Sequence, residues 1–202
     1  MLRYPEAVDQ LIDEFRTLPG VGRRAAERMA LSLLERDDDT LVELGNIISG
    51  IPDRVWRCPE CGAIAEKGEL CEICSSPRRD KSLLCVVEDM PQLFSIESSG
   101  YFQGTYLVLG GHLSPMDDEF GKKLNLDGLK KRVSSGEIRE VILALSSDVE
   151  GRATSAFLEE MLMEYNIEVS RPALGLPAGA NLSFVNAATI GAALRGRRSE
   201  KS

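Results

Sequence analysis

At 202 residues the chain has room for one ordinary domain or a few small modules, which excludes a large multi-domain motor or polymerase. Hydrophobic residues make up 43% and charged residues 28%, so the chain can bury a core and general disorder is excluded. With 24 Lys and Arg against 32 Asp and Glu the net charge is −8, which argues against coating nucleic acid or membrane through the overall field and leaves any DNA contact to a local patch.

In chain order, Val8, Leu11, Ile12, Phe15 and Leu18 follow the spacing of one buried helix face, and Pro19-Gly20 ends that helix. Ala25, Ala26, Met29, Ala30, Leu33 and Leu34 form the apolar face of a second helix. The acidic run Asp37-Asp38-Asp39 separates it from a third, for which Thr40 as N-cap with Glu43 three residues on reads as a capping box. Three short helices predict a small bundle. From Trp56 to about Asp80 the periodicity disappears and Cys, Pro and Gly take over. Four apolar runs of strand type follow, Leu83–Val87, Tyr106–Leu109, Val141–Leu145 and Ile167–Val169, with helical patterns near 91–99, 127–135 and 152–165. Strands alternating with helices predict a mainly parallel sheet, hence an α/β fold. The final 30 residues are rich in Pro and Gly before an apolar stretch through Ala193-Leu194 and a polar tail. The N-terminus carries two acidic residues and a Pro before any apolar run, so no signal peptide is expected, and no run approaches a membrane span. The expected location is the cytoplasm.

Three groups of residues carry chemistry. In Leu18-Pro-Gly-Val-Gly22-Arg-Arg24, Gly20 and Gly22 let the backbone turn and approach a ligand, and the next helix offers its unpaired N–H groups to a phosphate. Arg23 and Arg24 stand at the mouth, with Arg28 one helical turn beyond Arg24. Five Arg against two Glu between Arg16 and Arg36 reverse the global charge to a local +3. A Gly-rich turn with solvated arginines is the plain alternative. The arginine spacing favours DNA-backbone binding that is independent of base sequence and sensitive to salt.

Cys58-x2-Cys61 and Cys71-x2-Cys74 are two knuckles nine residues apart, a spacing suited to tetrahedral zinc. Four protein ligands leave no coordination position for water, so one structural rather than catalytic Zn2+ per chain is expected; a redox pair is the alternative. Cys85 reads as a small apolar residue in the first sheet strand. Glu88 lies past the end of that strand, and Asp148 and Glu150 past the third, where open α/β sheets place their sites. Such carboxylates could bind Mg2+, or could be solvated strand ends. His112, the only histidine, sits in a Gly-rich loop context.

Together the Leu-Pro-Gly-Val-Gly hairpin, the four cysteines, Cys85-Val-Val-Glu88, Gly111-His-Leu-Ser-Pro115 and Glu150-Gly151 closely resemble the RecR family of bacterial recombination proteins, in order and spacing, from about residue 4 to 197. The resemblance implies a helix-hairpin-helix module (1–55), a four-cysteine zinc finger (56–78), a Toprim domain (79–175) with a Rossmann-like, mainly parallel sheet, and a C-terminal assembly segment (176–202). It implies a non-enzymatic mediator of recombinational DNA repair that works with RecO, and in some members RecF, to help load RecA on gapped single-stranded DNA, and that forms homodimers and tetrameric rings around DNA, associated with the nucleoid during repair. The DNA-binding positions fall on Gly20, Gly22, Arg23, Arg24 and Arg28, and the Toprim acidic, partner-docking positions on Glu88, Asp148 and Glu150. Catalytic Toprim proteins carry Asp-x-Asp where this chain has Ser146-Ser147-Asp148, and a further acidic position after Glu-Gly is Arg152 here. Losing two carboxylates, one of them to a cation, argues against bound Mg2+ and against the competing reading, a Mg2+-dependent nuclease or topoisomerase-like enzyme. The run Met116-Asp-Asp-Glu-Phe120 is more acidic than the Gly-rich loop expected there.

Overall fold

The computed structural model describes residues 4–113, 124–173, 175–176 and 179–197. The chain divides into two compact units, Met1–Val55 and Trp56–Ser202. In the first, α1 (Glu6–Arg16) packs on α2 (Arg23–Leu34), and α3 (Asp38–Arg54) follows. Val8 and Ile12 meet Ala26 and Ala30, flanked by Leu11, Phe15 and Val21, so small residues on α2 let α1 approach closely. The expected three-helix bundle is not found: α3 buries none of its residues, and Val42, Ile47, Ile48 and Ile51 are exposed, as are Met29 and Leu34 of α2. Periodicity identifies an apolar face but not whether another helix covers it. The cap of α3 also differs. Asp37, not Thr40, is its N-cap: the Asp37 carboxylate accepts from the Thr40 backbone N–H and hydroxyl, both at 2.8 Å. These bonds hold that carboxyl below its ordinary range, and two of the three predicted linker acids become the first turn of the helix.

The second unit opens with a two-stranded sheet of β1 (Val55–Arg57) and β2 (Ile64–Glu66), then the single turn α4 (Glu72–Ser75). After it come β3 (Leu83–Val87), α5 (Met90–Ser98), β4 (Thr105–Val108), α6 (Leu126–Val133), β5 (Glu140–Leu143), α7 (Val149–Leu162) and β6 (Glu168–Ser170). A 3₁₀ turn (Leu182–Phe184) and α8 (Ala187–Arg195) complete the chain order. All pairs in the sheet are parallel, in the order β4-β3-β5-β6. The α/β reading therefore holds.

Alternation along β3 sorts its side chains between two cores. Leu84 and Val86 point to the face covered by Leu129 and Val133 of α6 and Leu158 and Leu162 of α7. Cys85 and Val87 point to the other, where Leu93 of α5 and the four-cysteine region form the covering layer. Cys85 is buried, and desolvation pushes its thiol up to about 12, as suits a small apolar core residue. The cysteine region is thus part of the sheet's core rather than a free-standing finger, and the Val108 backbone N–H donates to the Cys61 carbonyl at 2.7 Å. Burying side chains such as Leu84, Leu93 and Leu158 contributes about 1.5–3 kcal/mol each.

Candidate functional site

The hairpin between α1 and α2 divides its two glycines by role. Gly20 sits at φ +77°, a conformation that glycine adopts without strain. Gly22 is the N-cap of α2 at φ −80° and ψ 167°, extended backbone open to any residue, and a Cβ there would meet nothing within 4 Å. The fold does not need glycine at 22. The α2 N-terminus has no side-chain cap and no acidic residue in its first turn, so its N–H groups and positive dipole end are open to an anion. Arg23 is engaged, its Nε 3.1 Å from Glu27 Oε1. Arg24 and Arg28 are exposed on the face opposite Ala26 and Ala30, with no hydrogen-bond or ion-pair partner among the described residues. Two free guanidiniums at an uncapped helix start are electrostatically unfavourable alone and favourable toward phosphate.

The four cysteines converge. Cys58, Cys61, Cys71 and Cys74 are all buried, with their sulfurs within 4.8 Å of one another, a group that can hold a metal ion. The chain doubles back through Gly62, whose N–H donates to the Cys58 carbonyl at 2.8 Å, and Cys58 N–H donates to the Ala63 carbonyl at 2.7 Å. Cys71 is the N-cap of α4, which returns Cys74 to the same point. An all-thiol, enclosed donor set fits a closed structural site. No other such group occurs among the described residues.

At the C-terminal ends of the strands the carboxylates are not gathered. Glu88 is buried, and its carboxylate accepts from the Ser146 backbone N–H at 2.7 Å, the Ser146 hydroxyl at 2.9 Å and Gln92 Nε2 at 3.0 Å. Gln92 Oε1 in turn accepts from Glu88 N–H at 2.9 Å. A serine at the first position of the Asp-x-Asp pattern makes Glu88 a tie between the ends of β3 and β5. Asp148 is the N-cap of α7, accepting from Gly151 N–H at 2.8 Å. A Cβ on Gly151 would lie 2.1 Å from the Ser146 carbonyl oxygen, so this turn is closed tightly. Asp148 is nevertheless exposed, and Glu150 stands half-exposed, its Oε2 2.8 Å from His112 Nε2.

Several contributors escape sequence reasoning. Thr154, fully buried, accepts from Leu113 N–H at 2.8 Å and donates to the Glu150 carbonyl at 2.7 Å, fastening the His112 loop to α7. Arg79 pairs with Glu97 and donates to the carbonyls of Phe102 and Gly104, tying the end of the cysteine region to α5 and the approach to β4. The guanidinium holds the Glu97 carboxyl below its ordinary range. Only the i+4 spacing of Gln92 from Glu88 offered any signal. The acidic run 116–120, with Ser114 and Pro115, lies outside the described residues.

Comparison with known proteins covers each region. The chain matches the family description "RecR, helix-hairpin-helix" over residues 8–50, "Toprim domain" over 82–173 and "RecR, C-terminal" over 175–198. It is 45% identical over 197 residues to the recombination protein RecR of Thermus thermophilus, covering 98% of this chain and 99% of that one. It is 42% identical over 195 residues to that of Halorhodospira halophila, 96% of each. To that of Bifidobacterium adolescentis it is 41% identical over 197 residues, 98% of each. Among the described residues no helix is long and apolar enough to cross a membrane.

Proposed function

Because this chain belongs to the RecR family of recombination proteins, we propose that it is a non-enzymatic, DNA-binding mediator of recombinational repair in the cytoplasm. The observation that carries this reading is the free pair Arg24 and Arg28 beside an uncapped helix start. Backbone N–H groups and guanidiniums there take the phosphates of single-stranded, duplex or gapped DNA without reading bases. The four cysteines hold one structural Zn2+, which their all-sulfur donor set suits and which keeps the covering layer of the sheet folded. Homodimers and tetrameric rings concentrate the hairpin arginines around DNA, which reconciles DNA binding with a chain of net charge −8.

Glu150 is the acidic position best placed to meet RecO, because its side chain is half-exposed whereas Glu88 is buried and Asp148, though exposed, is committed as the N-cap of α7. RecF is a further partner of the same class. Glu88 and Asp148 act by shaping the turn that presents Glu150. The nuclease reading needs carboxylates free to share Mg2+, whereas Glu88 and Asp148 already accept internal hydrogen bonds.

The test is fluorescence anisotropy of labelled gapped DNA against salt, with Mg2+ present, for wild type and Arg24→Ala/Arg28→Ala. Wild type is expected to bind with a steep salt dependence, and the double variant to lose affinity on every sequence with a salt slope shallower by about 2. Equal binding by the two proteins overturns the hairpin assignment, and a signal that decays as strands are cut overturns the non-enzymatic one.

A further inference from the structure

A cavity of about 1090 Å³ opens at the C-terminal end of β5, between α5, the first turns of α7 and one face of α8. Its size suits a small-molecule site, and the carboxyl ends of parallel strands are where open α/β sheets hold phosphate-bearing ligands. Its charge is unusual for this chain. Arg152, Arg171 and Arg195 line it against a single carboxylate, Asp89, which is occupied as the N-cap of α5. Glu88, Asp148 and Glu150 do not line it. Arg171 is compensated by Glu159, 2.7 Å away. Arg152 gives one N–H to the Ser147 carbonyl and has no carboxylate partner among the described residues. Arg195 has no hydrogen-bond or ion-pair partner among them. Two uncompensated guanidiniums therefore face one cavity from different helices.

The position of Arg152 gives this charge a meaning. Carboxylates gathered at strand ends can hold a metal ion, and a metal so held can grip a phosphate. Here Ser146 replaces one acid and Arg152 another, so the positive charge at the strand ends comes from the chain itself. A guanidinium binds phosphate oxygens directly and in pairs, but supplies no activated water.

We infer that this cavity binds a nucleotide phosphate, through Arg152 and Arg195, with the apolar wall around Ile96 and Leu143 receiving the nucleoside. The nucleotide comes either free or as the phosphorylated end of a DNA strand; the second source rests on the DNA-binding reading above and the first does not.

The experiment uses the full chain. One internally labelled oligonucleotide is prepared with a 5′ phosphate, a 3′ phosphate or hydroxyls at both ends and titrated by anisotropy, and dAMP is titrated by calorimetry. Since a charge-assisted contact carries about tenfold in affinity or more, either dAMP or one phosphorylated strand should bind about tenfold better than its unphosphorylated counterpart, deoxyadenosine or the hydroxyl strand. Arg152→Ala/Arg195→Ala, which removes two exposed side chains, should erase the difference. A dAMP signal without a strand-end preference identifies the free nucleotide, and a strand-end preference that dAMP does not compete identifies the DNA terminus. No phosphate preference in any arm, or one that survives in the double variant, overturns the inference. Arg24→Ala/Arg28→Ala weakens all three oligonucleotides alike and leaves their ratios intact, so failure of the hairpin reading shows separately.

Discussion

The arginines of the hairpin and the carboxylates at the strand ends of the sheet are treated in opposite ways. At the hairpin, Arg24 and Arg28 are left without partners beside an uncapped helix start. At the strand ends, Glu88, Asp148 and Glu150 each accept or pair within the chain. Unpaired charge persists where a ligand can compensate it, and charge that must be desolvated is retained with its hydrogen bonds complete. The comparison separates residues that contact a partner from residues that shape the surface a partner meets.

The largest effect should come from the layer that supports the second region. Structural zinc supplies on the order of 10 kcal/mol of folding free energy, so Cys61→Ser/Cys71→Ser should release the metal and abolish cooperative unfolding of the sheet unit. Native mass spectrometry and circular-dichroism melting measure the two effects. A metal-free variant that melts like wild type would show the covering layer to be self-sufficient.

Next is Glu88→Ala, which strands the half-buried Ser146 N–H and the Gln92 amide and should cost about 1–3 kcal/mol in urea unfolding. Its counterpart Ser146→Asp sets a second carboxylate against Glu88. That variant should be less stable without Mg2+ and regain stability when Mg2+ is added, the reverse of the wild-type indifference expected here.

A smaller, pH-dependent effect belongs to Glu97. Arg79 depresses its folded pKa below the ordinary value of 4.5, so the pair's contribution is fully present above that value and is lost as pH falls through the lower folded one. Glu97→Gln should therefore be less stable by about 1–2 kcal/mol at neutral pH, with the two stability curves converging in acid. Parallel curves down to low pH would reject the pairing.

The smallest effect on stability sharpens the contrast most. Because a Cβ at Gly22 meets nothing, Gly22→Ala should change stability by no more than about 0.5 kcal/mol and yet lower DNA affinity by crowding the approaching phosphate. Gly20→Ala, forced to a positive φ, should cost about 1 kcal/mol through strain alone. If Gly22→Ala binds DNA as wild type does, close backbone approach is not how the hairpin works.

What the sequence by itself determined was everything with a period or a spacing. The alternation of apolar runs and helical patterns from Leu83 onward carries the parallel α/β sheet, because period 2 and period 3.6 are set by local backbone geometry. Two Cys-x2-Cys pairs announce a convergent thiol group, since such knuckles have few other uses, and the arginines at i and i+4 after a Gly-rich turn mark one face of a helix. Tertiary structure alone decided which apolar faces find partners: Val8 and Ile12 of α1 are covered by Ala26 and Ala30 of α2, whereas Val42, Ile47, Ile48 and Ile51 of α3 stay exposed. It also decided that the cysteine region roofs the sheet, that Glu88 reaches Ser146 across 58 positions, and that Arg152 and Arg195 share a cavity. Those outcomes depend on pairwise approach of distant segments and on competition for hydrogen bonds, and neither leaves a periodic trace in the chain.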